Sequence, residues 1–273
     1  MRPAACPCCL GSALTLAHTY RERPEGETAF TRPAGEAYHR ELWRCETCGH
    51  FLSTHAMSLG ALYDAGYVDS TYGGLDGIRK NYERIMALDP AKSDNAGRVE
   101  RVIAFAEQHF GARPLRVLDI GSGLGVFLGK LKRCKPGWTL TALEPDPRFA
   151  QHARETLSVE AVAEDYMKLS WKREFDLITL NKVLEHIEEP RAMLDKVRAD
   201  LAPGGIAYIE LPDGDAACSE GFGREEFFIE HHHVFSMASM ELLLHRHGLR
   251  TLALERLREP STKFTLRCFA ESI

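Results

Sequence analysis

Between residues 93 and 270 short apolar runs alternate with segments of helical spacing. LRVLDI (115–120), WTLTALE (138–144), VEAVAED (159–165), FDLITLN (175–181) and IAYIELP (206–212) read as buried strands. NAGRVERVIAFAEQHF, ahead of the first, places Val99, Val102, Ile103 and Ala106 on one helical face, and Gly111 stops it. Other helices run to about Cys134, open at Asp146-Pro147, and run from Pro190 to Pro203-Gly204-Gly205. Ser236 caps a further helix that Gly248 closes, and LRTLALERL and TKFTLRCFA follow as two strands. Such alternation predicts an α/β fold, a doubly wound and mostly parallel seven-stranded sheet. The short turn between the last two strands implies one antiparallel edge strand.

The junction after the first of these strands carries Asp119-Ile120-Gly121-Ser122-Gly123-Leu124-Gly125. Glycines between a strand and a helix permit a tight turn and a close backbone approach to a ligand. A dinucleotide fingerprint would need Gly or Ala at position 126, where this chain has Val126. Asp119, two places before the first glycine, would repel a pyrophosphate. It suits a ligand that carries cationic ammonium and sulfonium groups.

This pattern resembles the class I S-adenosylmethionine-dependent methyltransferases, a Rossmann-like family. Glu144 ends the second strand, where the family places a carboxylate on the ribose hydroxyls. Glu164-Asp165 ends the third, where an acidic residue takes the adenine amine, and either residue could do so. Phe175-Asp176-Leu177-Ile178, Leu184-Glu185-His186-Ile187 and Leu201-Ala202-Pro203-Gly204-Gly205 look like later family segments in the family's order. The resemblance covers residues 93–270 and implies that S-adenosylmethionine contacts Asp119, Gly121, Gly123, Gly125, Glu144, Asp165 and Asn181.

Of eight cysteines, five lie within the first 48 residues. No run of about 18 apolar residues spans a membrane, and MRPAACPCCL lacks a signal-peptide core. Clustered cysteines in a cytoplasmic chain read as metal ligands rather than disulfides. Cys6, Cys9, Cys45 and Cys48 make two Cys-x-x-Cys knuckles suited to one structural zinc ion. Cys8 could replace Cys6 or Cys9, and His50 and His55 are lesser candidates.

Methyl transfer to a hydroxyl or an acidic carbon needs a proton acceptor, and histidine titrates nearest neutrality. His186 follows the fourth strand, and Glu230-His231-His232-His233 follows the fifth. A metal site within His231–His233 is the weaker use of that run. The four-cysteine module, Leu-Glu-His-Ile and Glu-His before Phe-Ser together resemble deoxysugar C-methyltransferases and related small-molecule enzymes. That resemblance implies that His186, Glu230 and His231 bind and deprotonate the substrate, with Tyr63, Tyr67 and Tyr72 lining its site. The sugar enzymes continue into a further C-terminal domain, whereas this sequence stops at Ile273. Oxygen methylation of a hydroxylated metabolite is therefore at least as strong an expectation as carbon methylation.

These readings divide the chain into a zinc module (1–58), a tyrosine-bearing connecting or lid segment (59–92) and a methyltransferase domain (93–273). The expected partner is a small polar molecule; the sequence specifies no oligomeric state. Net charge −5 argues against a nucleic-acid partner, and Asn181-Lys182-Val183-Leu184 lacks the Asn/Asp-Pro-Pro-Tyr/Phe pattern common in exocyclic amine methylation. The rival readings are an RNA methyltransferase with a zinc-ribbon reader and a non-catalytic cofactor-binding scaffold.

Overall fold

The cysteine-bearing segment forms strands between its two knuckles. The computed structural model describes residues 2–29, 36–57, 74–170 and 174–273. In it β1 (Leu14–Tyr20), β2 (Arg40–Cys45) and β3 (Phe51–His55) pair antiparallel. The sheet borrows its fourth strand from His233–Val234, nearly two hundred residues on. Its apolar face is covered from the same region: Tyr20, Leu42 and Phe51 pack with Phe227, Ile229 and Val234. The module thus shares its core with the loop that carries Glu230 and His231.

Two helices precede the main sheet. The first, α1 (Gly74–Met86), buries Ile78 and Tyr82, one turn apart. It lies inside the segment read from sequence as a connection, although Leu75, Ile78, Tyr82 and Ile85 recur there at helical spacing. The second, α2 (Asp94–Phe110), starts where Ser93 accepts the Ala96 N–H at 3.2 Å. It stops at Gly111, whose φ is +72°.

The sheet then builds outward from β4 (Arg116–Ile120). The chain passes through α3 (Val126–Cys134) to β5 (Thr139–Leu143), then α4 (Pro147–His152) to β6 (Glu160–Val162). It crosses back to β7 (Phe175–Asn181), and α5 (Pro190–Asp200) leads to β8 (Leu201–Pro212). The short helix α6 (Gly214–Ala217), β9 (His233–Val234) and α7 (Met237–Arg246) precede β10 (Leu249–Arg258) and β11 (Phe264–Ser272). The order is β10-β11-β8-β7-β4-β5-β6, and β8, β7, β4, β5 and β6 are parallel. Helices α2 and α3 cover one face, packing on Val117, Leu177 and Tyr208. Helices α5 and α7 cover the other, on Leu118, Ile178 and Ile209. Adjacent strand residues face opposite helix layers, as a doubly wound sheet requires.

Three expectations need correction. The antiparallel strand is β11, one place in from the edge; β10 takes the edge. The more apolar of the two strands has moved inward, since Leu266, Cys268, Phe269 and Ala270 are fully buried. Pro203-Gly204-Gly205 does not end α5 but bulges within β8, between the pairs Phe175↔Leu201 and Leu177↔Ile206. The third core strand stops at Val162, because Asp165 accepts the Met167 N–H at 2.9 Å and starts a short turn. Among the described residues no helix is long and apolar enough to cross a membrane.

Candidate active site

The chain order reverses between β4 and β7, and a crevice opens beyond their carboxyl ends, where doubly wound sheets bind ligands. Asp119 lies at the end of β4 and is almost fully buried. It accepts hydrogen bonds from Thr179 Oγ1 at 2.6 Å and Asn181 Nδ2 at 2.8 Å. Burial pushes its carboxyl up to about 6, against the pull of these two donors. The glycine turn follows, with φ of +66°, +47° and +70° at Gly121, Gly123 and Gly125. A Cβ at Gly121 would lie 2.9 Å from Val183 Cγ2, and one at Gly125 2.9 Å from Leu157 Cδ2. At Gly123 the nearest atom would be 4.0 Å away, so that side of the turn is open.

Glu144, just past β5, faces this turn. The Gly123 N–H donates to its Oε2 at 2.9 Å. Burial pushes the Glu144 carboxyl up to about 7, opposed by the Gly123 and Asp146 amides. Glu144 and Asp165 line a cavity of about 230 Å³ with Gly121, Tyr166, Val183 and His186. Glu164 is exposed and does not line it. Of the adjacent acidic pair, only Asp165 reaches the crevice. The amide oxygen of Asn181 and the hydroxyl of Ser122 are buried with no hydrogen-bond partner among the described residues.

A second cavity, about 250 Å³, adjoins the first and shares Lys182 and His186 with it. Its wall includes Glu185, Glu226, Glu230, His231 and Lys263. His186 and His231 stand edge to face, with ring centroids 4.9 Å apart. Nδ1 of His186 lies 2.9 Å from the Glu230 carbonyl, and Nδ1 of His231 lies 2.8 Å from the Glu226 carbonyl. A carbonyl only accepts, so each Nδ1 carries a proton and donates. Burial lowers both pKa values, so both rings are neutral and each Nε2 keeps a lone pair. Burial also raises the Glu230 carboxyl.

The rest of the histidine run serves elsewhere. The His232 N–H donates to the Glu185 carbonyl at 2.8 Å. His233 Nδ1 lies 3.1 Å from His50 Nε2, so these two rings tie the module to the core. His50 lies outside the four-cysteine set. Cys6, Cys9, Cys45 and Cys48 bring their sulfurs within 4.8 Å of one another. The Cys6–Cys48 and Cys9–Cys45 separations are 3.5 and 3.4 Å. Cys8 is buried beside this set but outside it, and burial pushes its thiol well up. Tyr63, Tyr67 and Tyr72 lie outside the described residues.

Sequence reasoning missed Glu185. It is fully buried, burial pushes its carboxyl up to about 8 against the nearby Lys182 charge, and neither oxygen has a partner among the described residues. A glutamate inside the apolar run Val183-Leu184-x-His186-Ile187 was the available signal. It also missed Glu27 and Arg40, a fully buried ion pair at 3.1 Å. Glu27 accepts the Ile229 N–H at 2.7 Å, and Arg40 donates to the Phe227 carbonyl at 2.7 Å.

A family model described as "Methyltransferase domain" matches residues 87–254. The chain is 30% identical over 103 residues to a trans-aconitate 2-methyltransferase of Methylobacterium nodulans, covering 37% of this chain and 40% of the relative. It is 29% identical over 122 residues to a cypemycin N-terminal methyltransferase of a Streptomyces species, covering 41% and 48%. The chain thus spans less than half the length of these curated relatives. Two solved structures share the fold. One is 1,6-didemethyltoxoflavin-N1-methyltransferase of Burkholderia thailandensis, with a TM-score of 0.53, 20% identity, and coverage of 82% of this chain and 95% of that one. The other is magnesium protoporphyrin IX methyltransferase of Synechocystis PCC 6803 with bound SAH, with a TM-score of 0.57, 14% identity, and coverage of 76% and 97%.

Proposed function

The chain belongs to the methyltransferase-domain family, and from that membership we propose that it moves the methyl group of S-adenosylmethionine onto a polar small molecule. The acceptor is a hydroxyl or activated carbon of a carbohydrate-like metabolite, and a histidine is the general base. The observation that carries this reading is the pair of adjoining cavities that share His186 and Lys182.

The first cavity fits the cofactor. Ile120 and Gly121 line it at the head of the glycine turn, and Glu144 offers a carboxylate to a vicinal diol. Asp165 suits the adenine amine, and Asp119, Gly121, Gly125 and Asn181 shape the turn beneath. The unpartnered Asn181 oxygen is an acceptor that such a ligand would satisfy. When bound, the cofactor supplies an electrophilic methyl carbon on a sulfonium.

The second cavity fits the acceptor. Alignment of its oxygen or carbon with the methyl carbon is the larger part of catalysis. The new bond forms at that carbon as the carbon–sulfur bond breaks, and the acceptor's proton passes to Nε2 of His186 or His231. Glu230, beside both rings, orients the substrate. The net charge of −5 disfavours binding to a phosphate backbone. This supports a metabolite over a nucleic acid.

The four cysteines suit a structural zinc ion. Zn–S bonds of about 2.3 Å in a tetrahedron set sulfurs about 3.8 Å apart, close to the observed separations. Four protein ligands leave no open position. On this reading the zinc module occupies residues 1–58, the connection 59–92 and the catalytic domain 93–273, in a reducing, cytoplasmic setting that keeps the thiols free.

The test uses labelled S-adenosylmethionine and a pool of hydroxylated metabolites. His186→Ala or His231→Ala is expected to lower label transfer at least about a hundredfold, the scale of a general base. Affinity for the demethylated cofactor should stay nearly unchanged. If both variants keep more than about half the wild-type rate, catalysis rests on alignment alone.

A further inference from the structure

Beside the crevice, one side chain has no account in the methyl-transfer chemistry. Glu185 is fully buried, yet neither carboxylate oxygen has a hydrogen-bond partner among the described residues. A carboxyl held out of water without a partner is costly, and such a group in a folded protein points to a missing ligand. Lys182 shares the cavity, but its ammonium donates to Thr265 Oγ1 at 2.9 Å and lies 4.0 Å from Glu210. Glu185 therefore feels the charge of Lys182 without a hydrogen bond from it.

What surrounds Glu185 narrows the ligand. One ligand atom each from Glu185, His186 and His231 lies within 4.8 Å of the other two. Both imidazoles spend Nδ1 on a backbone carbonyl, at 2.9 and 2.8 Å. Metal-binding histidines are held in this way: the second nitrogen is anchored, which fixes the tautomer and turns the free lone pair to the ion. The backbone holds the third ligand too, because the His232 N–H fastens the Glu185 carbonyl to the loop that bears His231. The three residues border a cavity of about 250 Å³, which leaves room for further ligands on an ion.

We propose that Glu185, His186 and His231 form a binding site for one first-row divalent transition-metal ion, separate from the four-cysteine cluster. Two imidazoles and one carboxylate suit zinc, cobalt or ferrous iron better than calcium or magnesium, which prefer all-oxygen sets. The site does not rest on the methyl-transfer reading. A nitrogen bound to an ion cannot accept a proton, so the ion-bound chain has no histidine base at these positions.

The experiment needs neither methyl donor nor acceptor. The full chain, purified without chelator, is titrated with cobalt(II) in a calorimeter and by visible absorption. Expected is one equivalent that binds at a site with no thiolate-to-cobalt charge-transfer band, because no sulfur lies in the triad. Glu185→Gln and His231→Ala should each weaken this equivalent by at least about tenfold, since even residues behind the ligands cost that much. Either variant suffices if the other misfolds, and affinity for the demethylated cofactor reports folding. The proposal is overturned if wild type binds no cobalt outside the thiolate site. Equal binding by wild type and a folded variant overturns it as well. Either result leaves the methyl-transfer reading untouched, because that reading is measured by label transfer.

Discussion

Glu144 shows how one side chain ties the glycine turn to the first cavity. Its carboxylate accepts the Gly123 N–H and faces the first cavity. Glu144→Ala is expected to weaken the demethylated cofactor by about 1–3 kcal/mol, the scale of a charge-assisted hydrogen bond. Gly123→Val should abolish binding, because φ of +47° excludes a β-branched residue and its side chain would enter the open space. Calorimetry of the two variants checks both, and unchanged affinity in both would remove the cofactor assignment. The pH dependence has a definite sign. Burial raises Glu144 from 4.5 in the unfolded chain to about 7. The stability from its neutral form is therefore full below about 4.5 and is lost as pH rises through about 7. A ribose diol donates to the ionised form, so affinity should climb with pH to about 7 and then level off. Proton release on binding, read as a buffer-dependent heat at about pH 6.5, is the measurement. The acidic and glycine positions were legible as candidates because they sit at strand ends, where chain order alone fixes the side on which the crevice opens. Glu185, and the choice of Asp165 over Glu164, were not. They depend on which way a side chain turns once two distant segments meet.

At the scale of elements, the four-stranded sheet acts on the loop before β9. Glu27 and Arg40 grip the backbone at Phe227 and Ile229, and Leu52 of β3 pairs with His233 of β9. The segment between these holds is Glu230-His231-His232. The ion pair is fully buried, so removing one partner strands the other. Arg40→Met is expected to cost about 3–5 kcal/mol in denaturant unfolding. Adding Glu27→Gln should recover much of that loss, because it removes the stranded charge. A cost below about 1 kcal/mol for Arg40→Met would mean that the pair does not hold the loop. Strands buried on both faces, such as β4 and β7, were plain in the sequence as short, mostly apolar runs. The helix α1 was not read, although Leu75, Ile78, Tyr82 and Ile85 recur at helical spacing in the sequence. Nor was the inward place of β11, which is set by competition between two strands for the same neighbour.

For the whole molecule the question is what metal loss does to each half. The cysteines share one apolar cluster with Phe235 and, from the last core helix, Met240 and Leu244, and Ser236 Oγ donates to the Cys48 carbonyl. The spacing of the two knuckles pointed to the four cysteines that lie together, but not to a sheet that takes a strand from the far end of the chain. That strand makes the module a support for the acceptor cavity rather than an appendage. The first cavity lies at the ends of β4, β5 and β7, and among the described residues none before position 74 lines it. Chain purified without chelator is expected to hold one zinc bound by Cys6, Cys9, Cys45 and Cys48. Strong chelation or Cys45→Ser should remove it, since structural zinc contributes about 10–16 kcal/mol to folding. Metal-free protein should then lose label transfer, and the fluorescence of Trp43 in β2 should shift, while affinity for the demethylated cofactor falls by less than about tenfold. If cofactor affinity disappears with the zinc, the two halves fold as one unit. If label transfer survives its loss, the sheet has no part in holding His231.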